Sequence, residues 1–196
     1  MSLCLQTIVT STRPGRQGPA VAAWFHEHAT ANGKFDTQLV DLADFALPLY
    51  DEPKHPMLRQ YTHDHTKKWG ASVDRADAIV FVMPEYNYSP PPSFANALDF
   101  VFWEWQYKPV AFVTYGGVSG GLRAAQPARL QASTLKMMPI PEGVAIPSFT
   151  QQITDGKFVG SDLNQQGVVS VLNELHKWAE ALAPLREGVR ARFKQA

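Results

Sequence analysis

The chain is poor in cysteine, has no net charge and lacks any long apolar run. Its one thiol, Cys4, has no partner for an intrachain disulfide. That excludes a disulfide framework and makes Cys4 a small buried core residue in a reducing, cytoplasmic setting. Lysine plus arginine and aspartate plus glutamate number 18 each, so no charge excess points to nucleic acid or an anionic membrane as partner. No stretch approaches the length of a membrane span, and no basic, apolar leader opens the chain. Two well-known phosphate loops are missing: there is no G-x-x-x-x-G-K-[ST] and no G-x-G-x-x-G. A metal site is not expected. In His63-Asp64-His65 and His26/His28 the histidines stand two apart, on different sides of a helix, and no cysteine or carboxylate cluster completes a ligand set.

What is present is a chain of 196 residues with 45% apolar content. That suits one well-buried α/β domain over 1–196 and is short for two. Leu3 to Thr10 reads as a buried strand. Val21, Trp24, Phe25 and His28 then recur at helical spacing, with Pro19 suited to the first turn and Asn32-Gly33 to the stop. Phe35 to Leu42 reads as a second strand with Phe35, Thr37 and Leu39 on one face. A polar connection, Ala43 to Tyr61, leads to a helix capped by Thr62, with Trp69, Val73 and Ala76 buried. Ala78 to Met83 is apolar throughout, as a parallel strand covered on both faces should be. A short helix through Phe94, Leu98 and Val101 follows Pro90-Pro91-Pro92. Pro109 to Tyr115 reads as a fourth strand, and Gly120 to Met138 as a helix that Pro127 kinks or delays. Gly143 to Ile146 reads as a short fifth strand, and Leu163 to Leu185 carries one clear apolar stripe.

Five strands separated by helices imply a three-layer α/β sandwich: a parallel sheet, helices on both faces, and the flavodoxin-like strand order 2-1-3-4-5. Ligands in such sheets bind at the carboxyl ends of the strands. Three loops should therefore share one rim. The first, Thr10 to Gly18, is rich in serine, threonine, arginine and glycine and opens a helix, a cradle for a terminal phosphate. The second is Pro84-Glu85-Tyr86-Asn87-Tyr88-Ser89-Pro90. The third, after Tyr115, has four glycines in the six residues from Gly116 to Gly121, and glycine lets backbone N–H groups approach a flat ligand closely. One loop for a phosphate and two for the edge and face of a ring describe a pocket for flavin mononucleotide (FMN).

Ser-Thr-Arg-Pro-Gly-Arg (11–16), Pro-Glu-Tyr-Asn-Tyr-Ser (84–89) and Tyr-Gly-Gly-Val-Ser-Gly-Gly (115–121) together resemble the NADPH-dependent FMN reductase family of flavodoxin-like quinone and azo-compound reductases. The resemblance runs from about Leu3 to Ile146. It implies an oxidoreductase that moves hydride from NADPH or NADH to bound FMN and on to a quinone, flavin or similar acceptor. By motif position, Ser11, Arg13, Gln17 and Gly18 would hold the phosphate. Pro84, Glu85, Tyr86 and Asn87 would line the ribityl and ring region, and Gly116 and Gly117 would meet the polar edge of the ring, with Tyr115 and Ser119 beside them. The cofactor carries the hydride step in such chemistry, so no catalytic side chain is expected. Lys54, His55 and Arg59 are compositional candidates for the extra phosphate of NADPH.

The resemblance also implies a homodimer, with a tetramer as the larger alternative. The aromatic stretch Phe100 to Tyr107 and the connection Pro48 to Arg59 are its expected contact surfaces. The competing readings are an electron-carrier flavodoxin, which the neutral charge disfavours, and an FMN-binding or interaction module without enzymatic activity.

Overall fold

The structure, a computed structural model, describes residues 2–194. Its strands are β1 (Cys4–Val9), β2 (Asp36–Asp41), β3 (Ala78–Pro84), β4 (Pro109–Tyr115) and β5 (Met138–Ile146), with a two-stranded hairpin, β6 (Ile153–Thr154) and β7 (Lys157–Phe158), near the end. The helices are α1 (Gly18–Asn32), α2 (Asp64–Arg75), α3 (Pro92–Asp99), α4 (Leu122–Thr134) and α5 (Asp162–Lys194). The five long strands pair in parallel in the order β2-β1-β3-β4-β5.

Side chains alternate across a strand, so an unbroken apolar strand feeds two cores at once. In β3, Val80 and Val82 join Val21, Phe25, Val171 and Leu175 under α1 and α5. Ile79, Phe81 and Met83 join Trp69, Val73, Phe94 and Ala128 under α2, α3 and α4. Each large side chain taken from water in this way contributes roughly 1.5–3 kcal/mol. Gly33 ends α1 in the left-handed conformation (φ 73°), with its N–H on the Thr30 carbonyl.

Several sequence expectations are corrected. In the edge strand β2, Leu39 is exposed, and Val40 turns inward. His63, not Thr62, stands at the start of α2, and the Glu52 carboxylate accepts the N–H groups of Thr62 and His63 at 2.8 and 3.0 Å. Helix α4 begins at Leu122 with Pro127 inside it and stops at Thr134, because β5 begins five residues earlier than the apolar pattern suggests. Pro139 and Pro141 hide that start. The register between β4 and β5 shifts after Val110, and Arg129 donates to the Ile140 and Pro141 carbonyls there. Helix α5 continues past Leu185 and through Pro184. Cys4 is half-buried rather than fully so.

The aromatic stretch is also not the surface it was expected to be. Phe100, Val101 and Trp105 are fully buried, and Trp105 packs edge-on to Trp69 and donates to the Leu98 carbonyl. Glu104 is buried with them, accepting from Arg59 at 2.8 Å and from the Tyr61 hydroxyl at 2.9 Å. Within this segment, the Trp103 indole donates to the Met57 carbonyl at 2.7 Å and faces Phe193.

Candidate active site

The register aligns Val9 with Val82 and Pro84 with Tyr115 across neighbouring strands. Parallel neighbours lie about 4.8 Å apart, so the loops after β1, β3 and β4 share one rim.

The first loop leaves β1 at Thr10, whose N–H and hydroxyl both donate to the Val82 carbonyl at 3.0 Å. Ser11 is fully buried, and its hydroxyl meets that of Tyr115 at 3.4 Å. Gly18 closes over both: a Cβ there would lie 2.4 Å from Ser11 Oγ and 2.8 Å from the Tyr115 oxygen. Glycine is required by space, not by backbone angle. Burial pushes the Tyr115 phenol up to about 12, so it stays a neutral donor. Helix α1 has no side-chain cap, and Pro19 removes one of its early donors. Among the described residues, no hydrogen bond takes up the N–H groups of Ser11, Thr12, Gln17 or Gly18. Uncommitted donors at the positive end of a helix are an anion-binding arrangement. Arg13 and Gln17 are exposed beside them. Arg16 is committed instead to an ion pair with Asp41.

The second loop is a tight turn. Tyr86 and Ser89 exchange two backbone hydrogen bonds at 2.9 Å, and the two residues between them, Asn87 and Tyr88, have φ of 51° and 66°. Neither is glycine, and a left-handed tyrosine is a strained choice. Two arginines hold the turn. Arg13 Nε donates to the Tyr86 hydroxyl at 3.1 Å, and the Arg123 guanidinium lies 4.3 Å over the Tyr88 ring. Glu85, at the base of the turn, accepts from Ser119 at 2.8 Å and from the N–H and guanidinium of Arg123 at 3.2 and 3.3 Å.

The third loop is fixed through carbonyls and through the N–H groups of Gly116 and Gly120, which donate to the Ile146 and Gly117 carbonyls at 3.3 and 3.2 Å. Gly116, Gly117 and Gly120 accept from Phe149, Ser148 and Ile146 respectively. Gly121 needs its left-handed φ of 82°, and a Cβ there would lie 2.6 Å from Thr114 Cβ. Gly117 is different: its φ is ordinary and nothing lies within 4 Å of where a Cβ would stand, so nothing in the protein itself demands glycine.

The structure thus gathers Ser11, Arg13, Gln17, Gly18, Pro84, Glu85, Tyr86, Asn87, Tyr115, Gly116, Gly117 and Ser119 along one rim. Two of them also hold the rim together. Tyr115 is an internal brace whose hydroxyl lies under the first loop, and the Glu85 side chain ties the second loop to the third. Arg123 was missed: an arginine two places after a glycine pair carries no signal until the fold brings it to Glu85. The compositional candidates for an extra phosphate are engaged elsewhere. Lys54 Nζ donates to Gln60 at 2.6 Å, His55 Nδ1 accepts the Met57 N–H at 3.2 Å, and Arg59 is held by Glu104 and lies over Phe193. A cleft of about 400 Å³ borders Thr12 on the β2 side, with Leu42, Ala46, Leu47 and Pro92 in its walls.

The sequence profile described as NADPH-dependent FMN reductase matches residues 5–151. An NAD(P)H-dependent FMN reductase of Schizosaccharomyces pombe is 39% identical over 151 residues, covering 76% of this chain and 75% of that protein. A protein of the same description from a Nectria species is 34% identical over 180 residues, covering 89% and 86%. The flavoenzyme NAD(P)H:(acceptor) oxidoreductase of Paracoccus denitrificans superposes with a TM-score of 0.71 at 20% identity, covering 91% of this chain and 98% of that one, a likeness of fold. The chain belongs to the NADPH-dependent FMN reductase family.

Proposed function

We propose that the chain is an FMN-dependent NAD(P)H oxidoreductase with a small-molecule acceptor of the quinone or flavin class. The observation that carries this reading is the uncapped start of α1, where the N–H groups of Ser11, Thr12, Gln17 and Gly18 take no partner among the described residues and Arg13 stands exposed beside them, an arrangement suited to a phosphate. The N–H groups of Gly117, Val118 and Ser119, which take no partner among the described residues, suit ring carbonyls, and the unforced glycine at 117 fits close approach by a ring. When bound, FMN supplies the redox chemistry, accepting hydride from the nicotinamide and returning electrons to the acceptor.

The residues do the rest. Ser11, Arg13, Gln17 and Gly18 bind the phosphate, and Pro84 to Asn87 wall the ribityl chain and ring. Gly117 and Ser119 present backbone N–H donors to the ring edge, beside Gly116, whose own N–H is held by the Ile146 carbonyl; there the free donors stabilise negative charge on the reduced ring. Tyr88 and Val118, 66% and 94% exposed, give the mouth an apolar lip that suits a planar acceptor. Titration of the purified protein with FMN tests the assignment. Saturable quenching of flavin fluorescence is the expected result, and fluorescence that stays that of free FMN refutes it.

We further read the chain as a cytoplasmic homodimer. With Phe100, Val101 and Trp105 of the aromatic stretch buried, exposed Leu49, Met57 and Leu58 of the other expected segment offer the apolar surface for that contact. A monomer mass at micromolar concentration would refute it.

A further inference from the structure

We propose that Arg123 is a charge-balancing and positioning residue for the flavin: it neutralises the Glu85 carboxylate and so sets how strongly the site prefers reduced over oxidised FMN. The proposal rests on the flavin reading above.

Glu85 is an odd group to find at the edge of a site that must stabilise negative charge. Its side chain is only 10% exposed, and it lies between the two loops assigned to the ring. Its position has a structural reason. Helix α4 follows Gly121, which offers no side-chain cap, and Glu85 supplies one from across the rim by accepting the Arg123 N–H. The same carboxylate accepts from Ser119, whose oxygen in turn accepts the Gly121 N–H at 3.3 Å. Glu85 therefore fixes the glycine loop, in which the N–H groups of Gly117, Val118 and Ser119 take no partner among the described residues and are left for the ring edge.

That anchoring carries an electrostatic cost. A carboxylate beside the ring edge opposes negative charge on the reduced ring. The Arg123 guanidinium offsets it, lying 3.3 Å from Glu85 Oε1. Its placement over the Tyr88 ring also holds the strained turn. One arginine thus serves loop geometry and charge balance, and the two roles separate experimentally.

The test is a double-mutant cycle on the full chain: wild type, Arg123→Met, Glu85→Gln and the double variant. Each is titrated with oxidised FMN and, anaerobically, with chemically reduced FMN. The ratio of the two dissociation constants reports the redox preference. A purely structural role moves both constants together and leaves the ratio alone. Arg123→Met is expected to shift the ratio about tenfold against reduced FMN, equal to a fall of about 30 mV in midpoint potential for a two-electron couple. Glu85→Gln is expected to shift it the opposite way, and the double variant to return it close to the wild-type value. An unchanged ratio in Arg123→Met, or a double variant no better than Arg123→Met, overturns the proposal. Should Arg123→Met fail to fold by circular dichroism, Glu85→Gln decides alone: an unmoved ratio overturns it. Wild-type protein that binds FMN in neither state refutes the flavin reading instead, a result distinct from a flat cycle in a protein that binds.

Discussion

Gly18→Ala is the sharpest perturbation of the phosphate loop. The new methyl would start 2.4 Å from Ser11 Oγ and 2.8 Å from the Tyr115 hydroxyl. Both neighbours are buried, and Tyr115 is wedged against Phe149 with ring centroids 4.9 Å apart, so the phenol has little room to retreat. The serine can rotate. The fold therefore survives at an overpacking cost of about 1–3 kcal/mol, while the Ser11 hydroxyl leaves its place under the loop. A hydrogen bond to a charged group is worth roughly 1.5–3 kcal/mol, so FMN affinity should fall by about 10- to 150-fold. Urea unfolding and fluorescence titration read the two effects separately. Adding Tyr115→Phe removes the 2.8 Å conflict but not the 2.4 Å one, so it should recover part of the stability and little of the affinity. A Gly18→Ala protein that binds FMN within twofold of wild type would show that the phosphate does not rest on Ser11.

Three further outcomes are expected. Arg13→Ala should weaken FMN binding by about tenfold or more, since it removes a charge-assisted contact and releases the Tyr86 hydroxyl; unchanged titration curves would contradict this. Glu104→Ala strips Arg59 and Tyr61 of a buried partner and should cost about 3 kcal/mol, the low end for a broken buried pair because Arg59 is partly exposed; a calorimetric melting point lowered by only about 1 °C would contradict it. Burial pushes the Lys108 ammonium down to about 7, in spite of nearby Asp74 and Asp77. Above that value, and up to the ordinary lysine value of about 10.4, the unfolded chain holds more protons than the folded one, so this residue's contribution makes stability rise with pH by at most about 1.4 kcal/mol per unit. Below pH 7 the lysine is charged in both states and the contribution is flat. Urea unfolding of wild type and Lys108→Met between pH 7 and 9 checks this, and equal slopes would contradict it.

The central strands were legible because burial on both faces leaves an unbroken apolar run: Pro109–Tyr115 is the strand the sequence suggests, residue for residue. The same rule fails at β5, where Pro139 and Pro141 look like breakers but sit on an irregular edge strand that tolerates lost donors. The hairpin β6–β7 pairs two residues per strand, too few to show alternation. The aromatic run from Phe100 misled for a physical reason: composition cannot tell a surface patch from a short segment folded beneath α2 and α3, and here Trp69 and Trp105 fill that space. At the rim, local motifs were enough to nominate the three loops. What joins them was not legible. Ser11 to Tyr115 spans 104 residues and Glu85 to Arg123 spans 38, and such pairings exist only once the strand order is set.

Whether this rim runs flavin chemistry is read most simply from a visible spectrum of the FMN-loaded protein, mixed without oxygen with NADPH. The flavin bands should be shifted from those of free FMN, bleach on mixing, and return when a quinone is added. A bound flavin that NADPH leaves oxidised would contradict the assignment.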